Sequence, residues 1–138
     1  LNSSQPNAAP DSPRMPRLFL IGVVYAGISV LLGSMGAHAL KAVLSQYNTA
    51  EVFEIGHDYL AYHGLALMLI ALAEQRWSQL QAERAGSLIA IGAAVFSSSL
   101  FLFSITDLKW LTHFAPLGGG LMIVGWLWLA WRAFHSVR

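Results

Sequence analysis

Four stretches of this chain carry no Asp, Glu, Lys or Arg: residues 18–40, 59–73, 85–106 and 114–131. At about 1.5 Å per helical residue, the first and third are long enough to cross a hydrocarbon core of roughly 30 Å. Inside lipid the backbone must satisfy its own N–H and C=O groups, which leaves helices or a closed barrel. The runs are continuous, not alternating, so they read as helices. Composition agrees. Apolar residues make up 56% of the 138 positions and charged residues 11%, against about 45–50% and about 25% in soluble domains. The expected fold class is all-α, an integral membrane four-helix bundle with short loops.

The spans are expected at about 18–40, 49–76, 85–106 and 114–134, inside a single transmembrane domain covering residues 17–138. Residues 1–16, rich in Pro, Ser and Asn, hold nothing that forms a core and read as a disordered tail. Met15 stands before Pro16, Arg17 and the first apolar run, where a natural start would lie, so residues 1–14 read as an appended or upstream extension. A signal peptide competes for the first run, because Ala37-His38-Ala39 resembles a cleavage site, but the run is longer than an ordinary signal core.

Leu40, Val43, Leu44 and Tyr47 recur at helical spacing and predict a short amphipathic turn at the membrane surface. Asn48, followed three residues later by Glu51, predicts a capping-box start for the second span. Its uncharged centre is short. A helix starting there carries Glu51, Glu54 and Asp58, which share one face, in water before entering the bilayer. Residues 74–84 read as a loop. Pro116 fits the first turn of the last span, where a missing N–H costs least.

Arg14, Arg17, Arg76, Arg84, Arg132 and Arg138 fall on one side of the spans, and Lys41 and Lys109 on the other. The basic side, with both termini, is expected to be cytoplasmic in an inner (plasma) membrane. Trp126, Trp128 and Trp131 fit an aromatic belt near that side, and Trp110 the opposite interface.

The composition and motifs exclude several functions. A net charge of +1 with scattered basic residues provides no field for nucleic acid, and the absence of cysteine removes disulfides and thiolate chemistry. There is no phosphate loop, nucleophile elbow or dinucleotide fingerprint. Gly118-Gly119-Gly120 lies in an apolar run without the Lys and Ser/Thr of a phosphate loop. No histidine pair has a recognised metal-ligand spacing, so neither metal nor cofactor is expected, and motifs offer catalysis no support.

Small residues punctuate the spans: Gly22, Ala26, Ser29 and Gly33 in the first, Gly92 to Ser99 in the third, Gly118 to Gly125 in the fourth. They point first to close helix packing. Tyr59, Tyr62 and His63 share a face of the second span. A histidine inside a span is costly unless it faces protein or water, which makes His63 the leading functional candidate; its structural alternative is a neutral ring bonded to a neighbouring hydroxyl or carbonyl.

Gly33-Ser34-Met35-Gly36-Ala37-His38-Ala39-Leu40-Lys41 resembles the G-x-x-G-A-H-A-L-K signature of the domain of unknown function 423 family, small four-span bacterial inner-membrane proteins that include transmembrane protein 256 of animals. Tyr59-Leu60-Ala61-Tyr62-His63-Gly64-Leu65-Ala66-Leu67 is similar to the family's Y-Q-x-Y-H-A-L-A-L. Phe96-Ser97-Ser98-Ser99-Leu100-Phe101 is similar to F-S-G-S-L-Y, and Pro116 to Gly119 with Gly125-Trp126 to P-x-G-G and G-W. Leu60, Gly64, Ser98 and Phe101 depart from these patterns. The resemblance runs from about Arg17 to Trp131. It implies a retained first helix and a four-span membrane protein, with no activity assigned.

The orientation brings the four motifs toward the non-cytoplasmic half. The sequence therefore predicts one polar pocket there, with His38, Tyr59, Tyr62, His63, Ser97 and Ser99 as its lining and Gly118 and Gly119 as backbone floor. The first functional expectation is a non-enzymatic accessory or assembly partner of a larger membrane complex, in contact with lipid and with a membrane-protein partner or a second copy of itself. The alternative is binding or transport of a lipid, quinone, ion or proton in that pocket.

Overall fold

The computed structural model describes residues 15–136. The expectation of a disordered tail falls mostly on residues 1–14, outside the described residues. Five helices follow in order: α1 (Arg17–Ala37), α2 (Lys41–Tyr47), α3 (Ala50–Arg76), α4 (Ala82–Thr106) and α5 (Phe114–Ser136), with 3-10 turns at Ser78–Leu80 and Lys109–His113. There is no strand among the described residues. Four segments are long and apolar enough to cross a membrane, Arg17–Ala37, Ala50–Arg76, Ala82–Thr106 and Lys109–Ser136.

The long helices pack in chain order, α1 on α3, α3 on α4 and α4 on α5, with a smaller contact between α1 and α4. α4 is the central element: 44% of its apolar window is buried, against 17% for the windows of α1 and of the last segment. The core gathers at the end of the molecule where α1 and α4 begin, around Leu18, Leu67, Ile70, Ala82 and Ile89. Most other large apolar side chains face outward, Val30, Leu69, Ile123 and Leu127 among them, as expected when lipid is the solvent.

Two glycine pairs set the helix spacing. A Cβ on Gly22 of α1 would lie 2.5 Å from the carbonyl oxygen of Gly64 in α3, and one on Gly118 of α5 would lie 2.5 Å from the backbone nitrogen of Phe96 in α4. In lipid there is no hydrophobic drive between helices, so this close backbone approach supplies much of the association. Polar bonds add to it. The Tyr25 hydroxyl donates to the Ala90 carbonyl at 2.8 Å, and the Ser29 hydroxyl to the His57 carbonyl at 3.3 Å.

The start of α3 differs from the capping box expected at Asn48. Asn48 closes α2 in the left-handed region, φ 53°, a conformation Asn tolerates better than most residues. Thr49 then precedes α3 and makes no side-chain cap; its buried hydroxyl donates instead to the Ser104 carbonyl of α4 at 2.7 Å. Docking onto α4 has taken the place of a local cap. The polar stretch 74–84 is a loop only in its middle: α3 reaches Arg76, the bound given for the second span, and α4 starts at Ala82, three residues before 85, leaving a connection of only 77–81.

Candidate functional site

Among the described residues the backbones of α3 and α5 make no close approach, because α4 lies between them. The gap above α4 is a groove of about 480 Å³. α3 lines it with Tyr59, Tyr62 and His63, and α4 contributes Phe96. Gly119, Met122, Ile123 and Trp126 close the α5 side. Each set follows helical spacing, i, i+3, i+4 on α3 and i, i+3, i+4, i+7 on α5, so one face of each helix supplies its whole wall. His63 is the central residue of the 27-residue α3, and Trp126 lies one residue past the middle of the 23-residue α5. The groove is therefore at mid-height, and Trp126 belongs to it; the expected belt near the helix end is left to Trp128 and Trp131.

Both nitrogens of His63 are engaged. Nδ1 lies 2.8 Å from the Tyr59 carbonyl oxygen, one turn earlier. Nε2 accepts from the Trp126 indole N–H at 3.3 Å. A carbonyl can only accept and an indole N–H can only donate, so these two contacts fit the tautomer that carries its proton on Nδ1. The rings stack around this pair: Tyr59 and His63 have centroids 5.7 Å apart at 22°, and Tyr59 and Phe96 lie 4.6 Å apart.

Tyr59 and Tyr62 are exposed residues, and their hydroxyls have no hydrogen-bond partner among the described residues. The groove thus presents an aromatic wall, a glycine gap at Gly119 with only the Phe96 ring edge near its missing Cβ, and two phenol donors. It contains no nucleophile paired with a base. Its described lining offers ring faces, aliphatic surface and two phenols.

Of the residues read from sequence as one pocket, Tyr59, Tyr62, His63 and Gly119 come together here. The others lie elsewhere. His38 is exposed beyond the end of α1. Ser97 is 1% exposed with its hydroxyl unpartnered among the described residues. Ser99 donates to the Phe96 carbonyl at 2.7 Å within its own helix. Gly118 is buried against α4. One residue along a helix is a rotation of about 100°, which is why Phe96 and Gly119 face the groove and Ser97 and Gly118 do not. Phe96, Met122, Ile123 and Trp126 were not read as site residues. The sequence signal for the α5 wall was present, since Gly119, Met122 and Trp126 recur at i, i+3 and i+7.

The histidine in the first signature motif has less to do with the site than its glycines have with the fold. Gly33 sits against the His57 ring, whose Nε2 would lie 2.7 Å from a Cβ at that position, and Gly36 sits against Phe53. His57 Nδ1 pairs with the Asp58 carboxylate at 3.3 Å. Among the described residues no three His, Cys, Asp or Glu side chains are grouped closely enough to hold a metal ion.

Comparison with known proteins agrees with this architecture. Residues 32–119 match the family described as Protein of unknown function (DUF423). A UPF0382 membrane protein of Staphylococcus aureus (strain bovine RF122 / ET3-1) is 37% identical over 119 residues, 86% of this chain and 96% of the relative. A counterpart in Staphylococcus haemolyticus is 36% identical over 122 residues, covering 88% and 98%. The UPF0382 membrane protein YwdK of Bacillus subtilis is 32% identical over 114 residues, covering 82% and 92%. No solved structure matches.

Proposed function

The chain belongs to the DUF423 family, whose relatives are named membrane proteins, and from that premise we propose that it is a non-enzymatic protein that binds a small membrane-dissolved ligand in the α3–α5 groove. The observation that carries this reading is the pair of unpartnered phenol hydroxyls, Tyr59 and Tyr62, beside an aromatic wall at mid-height. A hydroxyl facing lipid gains from an acceptor that the hydrocarbon does not supply. His63 acts as a fixed strut between α3 and α5, since both its nitrogens are committed. The test is to purify the protein in mild detergent and identify extracted small molecules by mass spectrometry. A ligand retained by the unaltered chain and lost from the Tyr59→Phe, Tyr62→Phe double variant supports the reading. Extracts that match those of an unrelated four-span protein would sink it.

A second reading, the accessory or assembly partner, is favoured by a different observation. Gly27 on α1 and Gly120 on α5 are exposed, and beyond their chain neighbours and their own helix backbone no described atom lies within 4 Å of where a Cβ would stand. Small residues on outward faces are what a further helix needs for close approach. Gly27→Leu with Gly120→Leu should leave the chain folded and lower the mass of the complex it forms in native membranes. The proposed location is the inner membrane with both termini cytoplasmic, on the six-to-two division of Arg and Lys. Reporter fusions at the C-terminus test that orientation.

A further inference from the structure

A second concavity, of about 470 Å³, lies between the ends of α3 and α5, bounded by Ala73, Trp77, Gln79, Leu80, Ala133 and Ser136. It falls on the same helix faces as the groove at mid-height. Tyr62 and Ala73 are eleven residues apart, about three turns at roughly 3.6 residues per turn, so they stand on one line along α3. On α5, Trp126 and Ala133 are seven apart, close to two turns. The seam between the two helices thus has one recess at mid-height and another at the basic end.

The two recesses differ in chemistry. The lower one is flanked by arginines. Arg76 is exposed and lies over the Trp77 ring, its guanidinium carbon 5.7 Å from the ring centre. Arg132 donates through Nε to the Leu80 carbonyl at 3.2 Å and through Nη2 to the Gln79 carbonyl. An arginine has five N–H donors, so three of those on Arg132 have no protein partner among the described residues. Glu74 and Glu83 line a separate concavity beside Arg17, and among the described residues no carboxylate lines this one. The upper recess is apolar and aromatic.

The spacing also fits. From Arg76, the last residue of α3, to His63 is thirteen residues, about 20 Å at 1.5 Å per residue. That is half of the roughly 40–45 Å from one headgroup layer of a bilayer to the other, the reach of a phospholipid from headgroup to chain end.

We propose that the α3–α5 seam holds one anionic phospholipid of the leaflet at the basic end, its phosphate against Arg76 and Arg132 and one acyl chain running up to the groove of Tyr62 and Trp126. This goes beyond the acceptor-bearing ligand read for that groove: the acyl chain meets the ring faces of Phe96 and Trp126 and makes no bond to the phenol hydroxyls. Charge complementarity selects the anionic headgroup, and the two recesses on one line select a long, two-part molecule over a compact ring.

The test uses the full chain with Trp77, Trp110, Trp128 and Trp131 changed to Phe, leaving Trp126 as the one fluorophore. It is reconstituted in phosphatidylcholine vesicles containing a small fraction of chain-brominated phosphatidylglycerol or chain-brominated phosphatidylcholine. Brominated phosphatidylglycerol should quench Trp126 more than the same fraction of brominated phosphatidylcholine, and R76Q should cut that preference about fivefold, the effect of one basic charge near an anionic lipid surface. Native mass spectrometry of the chain with all five tryptophans gives a second reading in case the substituted chain folds poorly: phosphatidylglycerol should be retained over phosphatidylcholine, and less so in R76Q. Equal retention and equal quenching overturn the proposal, as does a preference that R76Q together with R132K leaves unchanged. If both lipids quench equally but beyond their bulk fraction, the groove still binds lipid and only the headgroup assignment fails. If quenching simply follows bulk fraction, the seam holds no lipid and the proposal fails, while the reading of the groove as a site for an acceptor-bearing ligand is decided separately by extraction from the Tyr59→Phe, Tyr62→Phe variant.

Discussion

The Trp126 indole N–H donates to Nε2 of His63 across 3.3 Å, joining the middles of two helices whose backbones make no close approach among the described residues. Replacing Trp126 with Phe keeps a ring in the groove and removes the donor. The expected cost is about 0.6 kcal/mol, with an upper range of about 1.7, as for other hydrogen bonds between membrane helices. Unfolding in mixed micelles checks it; a loss within error would mean that the bond contributes nothing.

The glycine contacts predict a contrast within single helices. Gly22→Ala and Gly118→Ala each place a methyl 2.5 Å from a backbone atom of the neighbouring helix, and neither backbone can yield without separating the pair. Each should destabilise by about 1–3 kcal/mol, the range for overpacking. Gly27→Ala and Gly120→Ala meet open space and should be neutral or slightly stabilising through helix propensity. Equal effects at the two kinds of position would refute the packing account.

Tyr62 is an exposed residue, and Tyr62→Phe removes a hydroxyl that has no protein partner among the described residues. Stability should therefore stay unchanged, within about 0.5 kcal/mol as for ordinary surface changes, while the yield of co-purifying ligand falls. Thermal unfolding and extraction on the same preparation separate the two effects. A stability loss with unchanged ligand would assign Tyr62 to the fold.

Two buried hydroxyls should behave oppositely. Thr49 donates to the Ser104 carbonyl at 2.7 Å, so Thr49→Val should destabilise by about 1 kcal/mol. The Ser97 hydroxyl has no partner among the described residues. Ser97→Ala removes an unsatisfied polar atom and little volume; it should be neutral or stabilising and should not affect ligand retention. Impaired binding in Ser97→Ala would bring that residue back into the site.

Arg132 holds the 3-10 turn after α3 through the Gln79 and Leu80 carbonyls. Arg132→Ala should release this turn. Amide hydrogen exchange across residues 77–81 should rise while exchange at the centre of α4 is unchanged. Uniform exchange across both regions would show that the arginine does not order the connection.

Much of the fold was legible because membrane spans are announced by composition. A charge is expensive in lipid, so long uncharged runs such as 85–106 mark helices without knowledge of what they pack against. The glycines at 22, 92 and 118 were legible as packing positions, though not their partners; Gly64, which meets Gly22, stood out only as a departure from the family motif. The site was legible in part. Tyr59, Tyr62 and His63 share a face at i, i+3 and i+4, and that face does line a groove. His38, Ser97, Ser99 and Gly118 were grouped with it because they stand in signature motifs, and proximity within a motif says nothing about rotation around a helix axis.

The amino-acid sequence by itself determined the class of protein, the number of spans and their chain order, since each follows from the local cost of placing charge and unpaired backbone in lipid. Tertiary structure alone decided that Asn48 ends one helix and does not start the next, that α4 stands between α3 and α5, and that Trp126 meets His63. Those depend on rotations and translations of whole helices. They are set by contacts between residues far apart in the chain, such as Gly118 on Phe96 and Thr49 on Ser104, and no local pattern carries them.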